Sequence, residues 1–151
     1  MFFRNTGAVI RERGGRAFYS QSGDCIQVPP IEAFPDPVDY YSTVAHEAVH
    51  WTKHPSRLSR EFGQKVWGDG GFATEELVAE LGSAYLAADL EIRPEPPEEN
   101  ASYIDSWLKV LKNDKRAIFN AASHAQRAAD YLHALQPSYD TSPALADAAP
   151  A

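Results

Sequence analysis

Residues 46 to 50 read His-Glu-Ala-Val-His, an HExxH pattern whose residue types and spacing suit metal chemistry. His46 and His50 lie four positions apart, one above the other on the same face of a helix, so both imidazoles can reach one ion. Zn²⁺ accepts neutral nitrogen ligands at about 2.0–2.1 Å in a tetrahedral shell. Glu47 projects beside that face, where it can take a proton from a water molecule that the ion activates. The pattern therefore predicts a hydrolytic site that binds one Zn²⁺ per chain, with His46 and His50 as ligands and Glu47 as general base.

The alternative interpretation of this pattern is two surface histidines flanking a solvated glutamate. With five histidines and eleven glutamates in the chain, the pattern is expected by chance roughly 0.01 times. It also falls inside an amphipathic helical pattern rather than in a loop, which further favours the metal interpretation.

A catalytic zinc site needs a third protein ligand and leaves one position for water. His54 continues the i, i+4 series, but it lies eight residues after His46, about 12 Å along a straight helix at ~1.5 Å per residue. One ion cannot bind both side chains. We therefore expect His54 to be a capping or supporting residue near the end of the helix.

Better candidates for the third ligand lie in the segment 75–80, which reads EELVAE. Glu76 and Glu80 are four residues apart and share a helix face. One carboxylate can bind the metal while the other accepts the second N–H of a ligand histidine, which fixes the imidazole tautomer. We predict Glu76 as ligand and Glu80 as support. Glu75 as ligand, the reverse roles of Glu76 and Glu80, and a merely solvated acidic face remain open.

Four helices are expected to position these groups. The helix that carries HExxH runs from Val38 to about His54, with Asp36 as N-cap and Pro37 at the first helical position. The other predicted helices are, in chain order, about Glu75–Leu90 capped by Thr74, about Ser102–Leu111 and about Lys115–Leu135.

Two β-rich segments precede the helices and predict a hairpin. Arg16–Ser20 and Asp24–Val28 are separated by a Gln-Ser-Gly turn, and two prolines follow the second segment. We expect the strand at Asp24–Val28 to be a sheet edge on which an extended peptide could add by β-pairing. The predicted class is α+β, with a small antiparallel sheet or hairpin and about four helices.

Composition is that of one globular domain of 151 residues, 44% hydrophobic and 23% charged. The net charge of −7 is opposite in sign to that of domains that grip nucleic-acid phosphates, so DNA binding by this chain alone is not expected. No apolar run approaches the ~20 residues of a membrane span, and the single Cys25 excludes an intrachain disulfide. We expect one domain over residues 1–136, a disordered tail over 137–151 and a cytoplasmic location.

Three long runs resemble the C-terminal metallopeptidase domain of ArdC-type antirestriction proteins. They are YYSTVAHEAVHWTKHPSRLSREFG, ATEELVAELGSAYLAADLEI and YIDSWLKVLKNDKRAIFNAASHAQRAADYL, and the resemblance covers about residues 5 to 135. It implies a zincin-like fold in which a β-sheet edge flanks the active-site helix. In zincins whose third ligand is glutamate, an acidic pair on a following helix supplies it, which matches Glu76 and Glu80. It also implies a role in protecting incoming plasmid or phage DNA from host restriction.

The same family usually places a single-stranded-DNA-binding domain before the metallopeptidase domain, whereas this sequence starts directly at the metallopeptidase segment. We therefore do not carry DNA binding over to this chain, and the expected partner is a protein or peptide substrate. The alternative from another class is a non-catalytic zinc-containing interaction module that acts in antirestriction or nucleic-acid protection.

Overall fold

The structure, a computed structural model, describes residues 1–62, 70–92, 108–109, 112 and 114–138 of the chain. Among the elements whose bounds fall within these residues, a short helix and three strands come first, and three longer helices follow. In chain order the elements are α1 (Phe2–Asn5), β1 (Val9–Glu12), β2 (Phe18–Ser20), β3 (Cys25–Val28), a 3₁₀ turn (Ile31–Ala33), α2 (Pro37–Trp51), α3 (Gly70–Asp89) and α4 (Ala117–Ala134). The predicted α+β class is confirmed.

The sheet is mixed, with strand order β1-β3-β2. The predicted hairpin accounts for β2 and β3, which pair antiparallel with Ser20 opposite Cys25. β1 pairs with the other side of β3 in parallel, with Val9 opposite Cys25. A turn pattern in the sequence reveals only the local antiparallel pair. The parallel strand has no such signal, because its pairing depends on contacts distant in sequence.

The prediction that Asp24–Val28 forms a sheet edge is wrong. β3 is the central strand, and the backbone groups on both of its sides are already used in pairing with β1 and β2. Ile26 and Val28 of this strand are fully buried, as expected for a strand flanked on both sides and covered by α2. The edges of the described sheet are β1 and β2, so any added peptide strand would have to pair there.

The start of α2 follows directly from its sequence. The Asp36 carboxylate accepts a hydrogen bond from the Val38 backbone N–H at 2.8 Å, and Pro37 occupies the first turn. Both predictions are confirmed. Proline suits this position because its missing N–H would have no intrahelical partner there. The helix ends at Trp51 rather than near His54, and the backbone turns through shorter i to i+3 bonds beyond it.

α3 begins earlier than predicted, at Gly70, so Thr74 lies inside the helix and is not its cap. The additional first turn is stabilised by packing, since Ala73 is buried.

Farther along α3, Gly82 faces Val49 of α2. A Cβ atom built at Gly82 would lie 2.8 Å from Val49 Cγ2, closer than side-chain carbons approach in proteins. The missing side chain therefore lets α2 and α3 pack at short range.

α4 covers α3 with a seam of small side chains, and its bounds agree with the predicted helix at Lys115–Leu135. Alanine at spacings of three and four residues brings two helix backbones close together. The buried residues of this seam are Ala117, Ala121, Ala125, Ala128, Ala129 and Leu132. The core thus lies between the sheet, α2, α3 and α4.

The β2–β3 hairpin is attached to the residues that follow α2 by one arginine. Arg57 donates to both carboxylate oxygens of Asp24 and to the Tyr19 hydroxyl, and its guanidinium lies 3.8 Å from the centre of the Trp51 ring. Asp24 adopts a left-handed backbone conformation, with φ of 44°. This group of side chains holds the hairpin turn against the C-terminal end of α2.

Two predicted segments lie largely outside the described residues. Of the predicted helix at Ser102–Leu111, only residues 108 and 109 are described, and both are helical; of the predicted tail, only residues 137 and 138 are described. Within the described part of the chain, no helix combines the length and apolar character needed to cross a bilayer. The cytoplasmic location stays a prediction.

Candidate metal centre

Two helices bring the predicted site residues together. The histidines lie on the last two turns of α2, where Val44, Ala45, Ala48 and Val49 are buried and hold that helix in the core. The close approach of Val49 to Gly82 brings α3 alongside, so that the first half of α3 faces the histidines. The geometry of the site therefore depends on the packing of α2 against α3.

His46, His50 and Glu76 converge on one point. The two Nε2 atoms lie 3.1 Å apart. Glu76 Oε2 lies 3.4 Å from His46 Nε2, and Glu76 Oε1 lies 3.1 Å from His50 Nε2. Among the described residues these three form the group of side chains whose ligand atoms are close enough together to bind one metal ion.

These spacings suit a tetrahedral ion. Donor atoms about 2.0–2.1 Å from a tetrahedral centre lie about 3.3–3.4 Å from one another. The separations of the three donor atoms, 3.1 to 3.4 Å, are close to that edge length. The three groups could therefore hold such an ion with little movement.

The far side of each imidazole contacts a carboxylate. His46 Nδ1 lies 3.1 Å from Glu80 Oε1, and His50 Nδ1 lies 3.0 Å from Glu75 Oε1. A carboxylate can only accept a hydrogen bond, so in the neutral ring each Nδ1 carries the proton and each Nε2 presents its lone pair to the centre. This is the tautomer that a metal-binding histidine requires.

Three electron-pair donors thus face one another across about 3 Å, an arrangement that is repulsive unless a cation lies between them. A proton can also take that position, and the raised pKa values of the two histidines reflect this. Burial lowers the pKa of His46, but hydrogen bonds to Glu76 and Glu80 outweigh it and raise the pKa to about 10. The pKa of His50 is also raised, because Glu75 and Glu76 outweigh its burial. The residues present therefore fit a bound cation.

Glu75 belongs to a second, buried layer of the site. Burial disfavours its charge, yet hydrogen bonds from Arg60 and His50 lower its pKa to about 2. Arg60 donates to both Glu75 oxygens at 2.8 Å. From the sequence alone, Glu75 remains open as a possible ligand, and Arg60 carries no signal that singles it out. An arginine in a loop gives no pattern that distinguishes it from a solvated one.

Glu47 lies on α2 between the two histidines and is 8% exposed. Within the described part of the chain, its carboxylate has no hydrogen-bond or ion-pair partner, unlike those of Glu75 and Glu76. It contributes to the negative field that raises the pKa of His46. A buried carboxylate left without a partner beside this centre can accept a proton there.

His54 lies apart from this cluster. Its Nδ1 is 2.7 Å from Ser56 Oγ and accepts the Ser56 backbone N–H at 3.1 Å. Among the described contacts none joins His54 to the two motif histidines or to the three glutamates. Its bonds stabilise the turn after α2, so it caps that turn locally and does not support a ligand directly.

The chain matches a protein-family model described as a zincin-like metallopeptidase over residues 1–124. Two curated relatives also match. It is 42% identical over 135 residues to the uncharacterized protein y4eC of Sinorhizobium fredii (strain NBRC 101917 / NGR234), covering 89% of this chain and 44% of that protein. It is 42% identical over 132 residues to a DNA primase TraC of Escherichia coli, covering 87% of this chain and 12% of that protein. The chain therefore spans less than half the length of either relative.

Two solved structures have the same fold. The Mn(II)-bound crystal structure of antirestriction ArdC protein from the R388 plasmid aligns with a TM-score of 0.81 and 47% identity, covering 89% of this chain and 50% of that chain. The metal-free crystal structure of the same protein aligns with a TM-score of 0.79 and 47% identity, covering 89% of this chain and 48% of that one.

Proposed function

The chain belongs to the zincin-like metallopeptidase family, and from this membership we propose that it is a zinc-dependent peptidase domain. His46, His50 and Glu76 are the proposed ligands, Glu47 the proposed general base, and Glu75 and Glu80 the groups that orient the histidines. The observation that carries the proposal is the convergence of two imidazole nitrogens and one carboxylate beside a buried glutamate without a partner.

The resemblance to ArdC-type antirestriction proteins stated from the sequence is confirmed by the structural similarity and the family match. The chain is a zincin-like domain of that type. A metal ion is present in one ArdC structure, where it is Mn(II). For this chain we propose Zn²⁺, because two imidazoles and one carboxylate at tetrahedral spacing suit it.

When bound, the ion would act as a Lewis acid that lowers the pKa of a water molecule and polarises a substrate carbonyl. The residues of this chain would supply the proton transfers. Glu47 would accept the proton of the attacking water and then deliver it to the nitrogen of the departing amine. Glu75 and Glu80 would hold the two rings in the ligating tautomer while this happens.

An open coordination position separates this proposal from the non-catalytic alternative. A structural zinc site is closed by a fourth protein ligand, whereas a catalytic one has three. In the described residues the candidate group has three members, and Glu47 lies beside it without a partner. A structural site has no need of a base at that position, so we favour the peptidase.

We propose a protein or peptide as the substrate and antirestriction as the setting, by analogy with ArdC. The net charge of −7 does not favour DNA binding by this chain alone. Any peptide that adds to the sheet would have to pair with β1 or β2, since β3 is central.

Replacement of Glu47 by glutamine tests the proposal. We expect Glu47→Gln to keep about one Zn²⁺ per chain but to lower peptide cleavage about 10²- to 10⁴-fold, because the base is lost and the ligands stay. The measurements are metal content by elemental analysis and initial rates on a library of quenched fluorescent peptides. Glu32→Gln, at an exposed glutamate outside the site, is the matched control.

Two results would contradict the peptidase proposal. One is cleavage by pure Glu47→Gln protein at the wild-type rate. The other is a zinc-loaded wild-type chain that cleaves no member of the library, which would favour the interaction module.

A further inference from the structure

We propose that Arg60 is a positioning residue of the metal centre, which acts through Glu75 to fix the orientation of the His50 ring. The inference rests on the proposed function for the role of His50 as a ligand. It adds a residue that the HExxH pattern and the acidic helix do not contain.

The contacts of Arg60 are those of a buried structural hub. Its side chain is 2% exposed, and that of Glu75 is 5% exposed. Arg60 Nε donates to Glu75 Oε2 at 2.8 Å, and Nη2 donates to Glu75 Oε1 at 2.8 Å. The same Oε1 atom lies 3.0 Å from His50 Nδ1. One carboxylate oxygen therefore joins the guanidinium to the imidazole.

The other side of the guanidinium contacts the end of α2. Nη2 donates to the Val49 carbonyl at 2.9 Å, and Nη1 donates to the Thr52 hydroxyl at 3.1 Å. Four of the five N–H groups of an arginine are accounted for by these bonds. Arg60 thus links the helix that carries His50 to the helix that carries Glu75, and it fixes the distance between the imidazole and its carboxylate partner.

A lysine cannot reproduce this arrangement. The planar guanidinium presents parallel N–H groups that match the two oxygens of a carboxylate, while an ammonium is a single point with three donors. Lysine at position 60 keeps the positive charge, so Glu75 stays paired. The paired Glu75 carboxylate would then be free to rotate, and the bond to His50 Nδ1 would lengthen.

The two histidines of the site are supported differently, which makes the proposal specific. His46 is backed by Glu80, whose side chain is 26% exposed, and His50 by the buried Glu75. Arg60 contacts only the second of these pairs among the described contacts. Loss of the Arg60 geometry should therefore change the orientation of the His50 ring. The His46 ring should stay in place and serve as an internal reference within the same site.

The experiment compares the wild-type chain with Arg60→Lys, both loaded with Zn²⁺ and labelled with ¹⁵N in histidine. We expect the Nδ1–H resonance of His50 to move upfield in the variant, while that of His46 stays in place. We also expect Zn²⁺ to bind about 10- to 100-fold more weakly in competition with a chromophoric chelator. Glu80→Gln and Glu75→Gln assign the two resonances, since each alters one ring.

Arg57→Lys is the matched control, because Arg57 lies in the same loop and its side chain is 9% exposed, but its partners are Asp24, Tyr19 and Trp51. We expect this control to lose stability without a change in zinc affinity or in either resonance. If Arg60→Lys does not fold, Thr52→Val decides, since it removes the acceptor that holds Nη1 of Arg60 and should displace the His50 resonance alone.

Two results would overturn the inference. One is an unchanged His50 resonance with unchanged zinc affinity, and the other is an equal displacement of both histidine resonances. A wild-type chain that binds no Zn²⁺ would overturn both the inference and the proposed function. Zinc binding with the expected His50 change, but without peptide cleavage, would support the inference and overturn only the proposed peptidase.

Discussion

At the scale of single residues, the roles of the acidic side chains depend on the imidazole nitrogen that each one faces. Glu76 faces both Nε2 atoms, whereas Glu75 and Glu80 each face an Nδ1 atom. The sequence spacing predicted that Glu76 and Glu80 share a helix face. It could not decide their roles, because the roles depend on how α3 is rotated against α2. It also could not find Arg60, whose significance comes entirely from the group it contacts.

We expect Glu76→Gln and Glu80→Gln to differ in their effect on metal binding. The first replaces a charged ligand and should weaken Zn²⁺ binding by more than about 10²-fold. The second leaves the proposed ligands in place and loosens only the His46 ring, which should weaken Zn²⁺ binding about tenfold. Isothermal titration with Zn²⁺ measures both. Equal losses in the two variants, or a larger loss in Glu80→Gln, would reverse the roles assigned to the two glutamates.

At the scale of elements, two contacts hold α2 in place. One is the close packing of Val49 on Gly82 of α3, and the other is the Arg57–Asp24 pair that attaches the β2–β3 hairpin to the end of α2. The helices themselves were predictable from periodicity and capping residues. The distance between α2 and α3 was not predictable, because a glycine inside a helical pattern does not indicate which side chain of another helix it contacts.

Gly82→Ala should destabilise the chain although alanine favours helix by about 1 kcal/mol. The added methyl group would overlap Val49, so the helices must move apart, at a cost of about 1–3 kcal/mol. Movement of α3 also carries Glu76 away from the histidines, so zinc affinity should fall. Urea unfolding and zinc titration test both effects. As a control, Ala84→Gly at an exposed position of the same helix should lower stability without lowering zinc affinity.

If Gly82→Ala were as stable as the wild type, the short separation of α2 and α3 would not be a requirement of the fold.

The Arg57–Asp24 pair predicts a loss of stability in acid. Hydrogen bonding from Arg57 holds the pKa of Asp24 below its ordinary value, despite some desolvation. A carboxyl group whose folded pKa is depressed stabilises the fold above its unfolded pKa of about 4, and this stabilisation disappears as the pH falls through the folded pKa. The Asp24 side chain is 40% exposed, so we expect an effect below about 1 kcal/mol.

Asp24→Asn tests this dependence, because asparagine tolerates the left-handed backbone at this position. The variant should be less stable than the wild type at pH 7, and the difference should vanish near pH 2. The urea unfolding midpoints of the wild type and the variant, measured between pH 7 and pH 2, test this expectation. A difference that stays constant with pH would mean that the charge of Asp24 does not contribute.

At the scale of the whole molecule, local patterns predicted most of the elements, and long-range pairing explains the errors in the sheet. The capped start of α2, the hairpin and the last helix agree with the sequence analysis. The central position of β3 and the parallel strand β1 do not follow from it. Both result from the pairing of β1 with β3, two strands that β2 separates in the sequence. No turn residue or apolar alternation predicts such a partner.

The contact between Val49 and Gly82 also has a consequence for how the chain can diverge. The Val49 side chain fills the space left by Gly82, while the Val49 carbonyl accepts bonds from Arg60 and Thr52 whatever its side chain is. Substitution at position 49 is therefore limited by residue 82 and not by the hydrogen bonds of its backbone. In an aligned set of homologues we expect the two positions to covary, with alanine or serine at 82 accompanied by a smaller residue at 49.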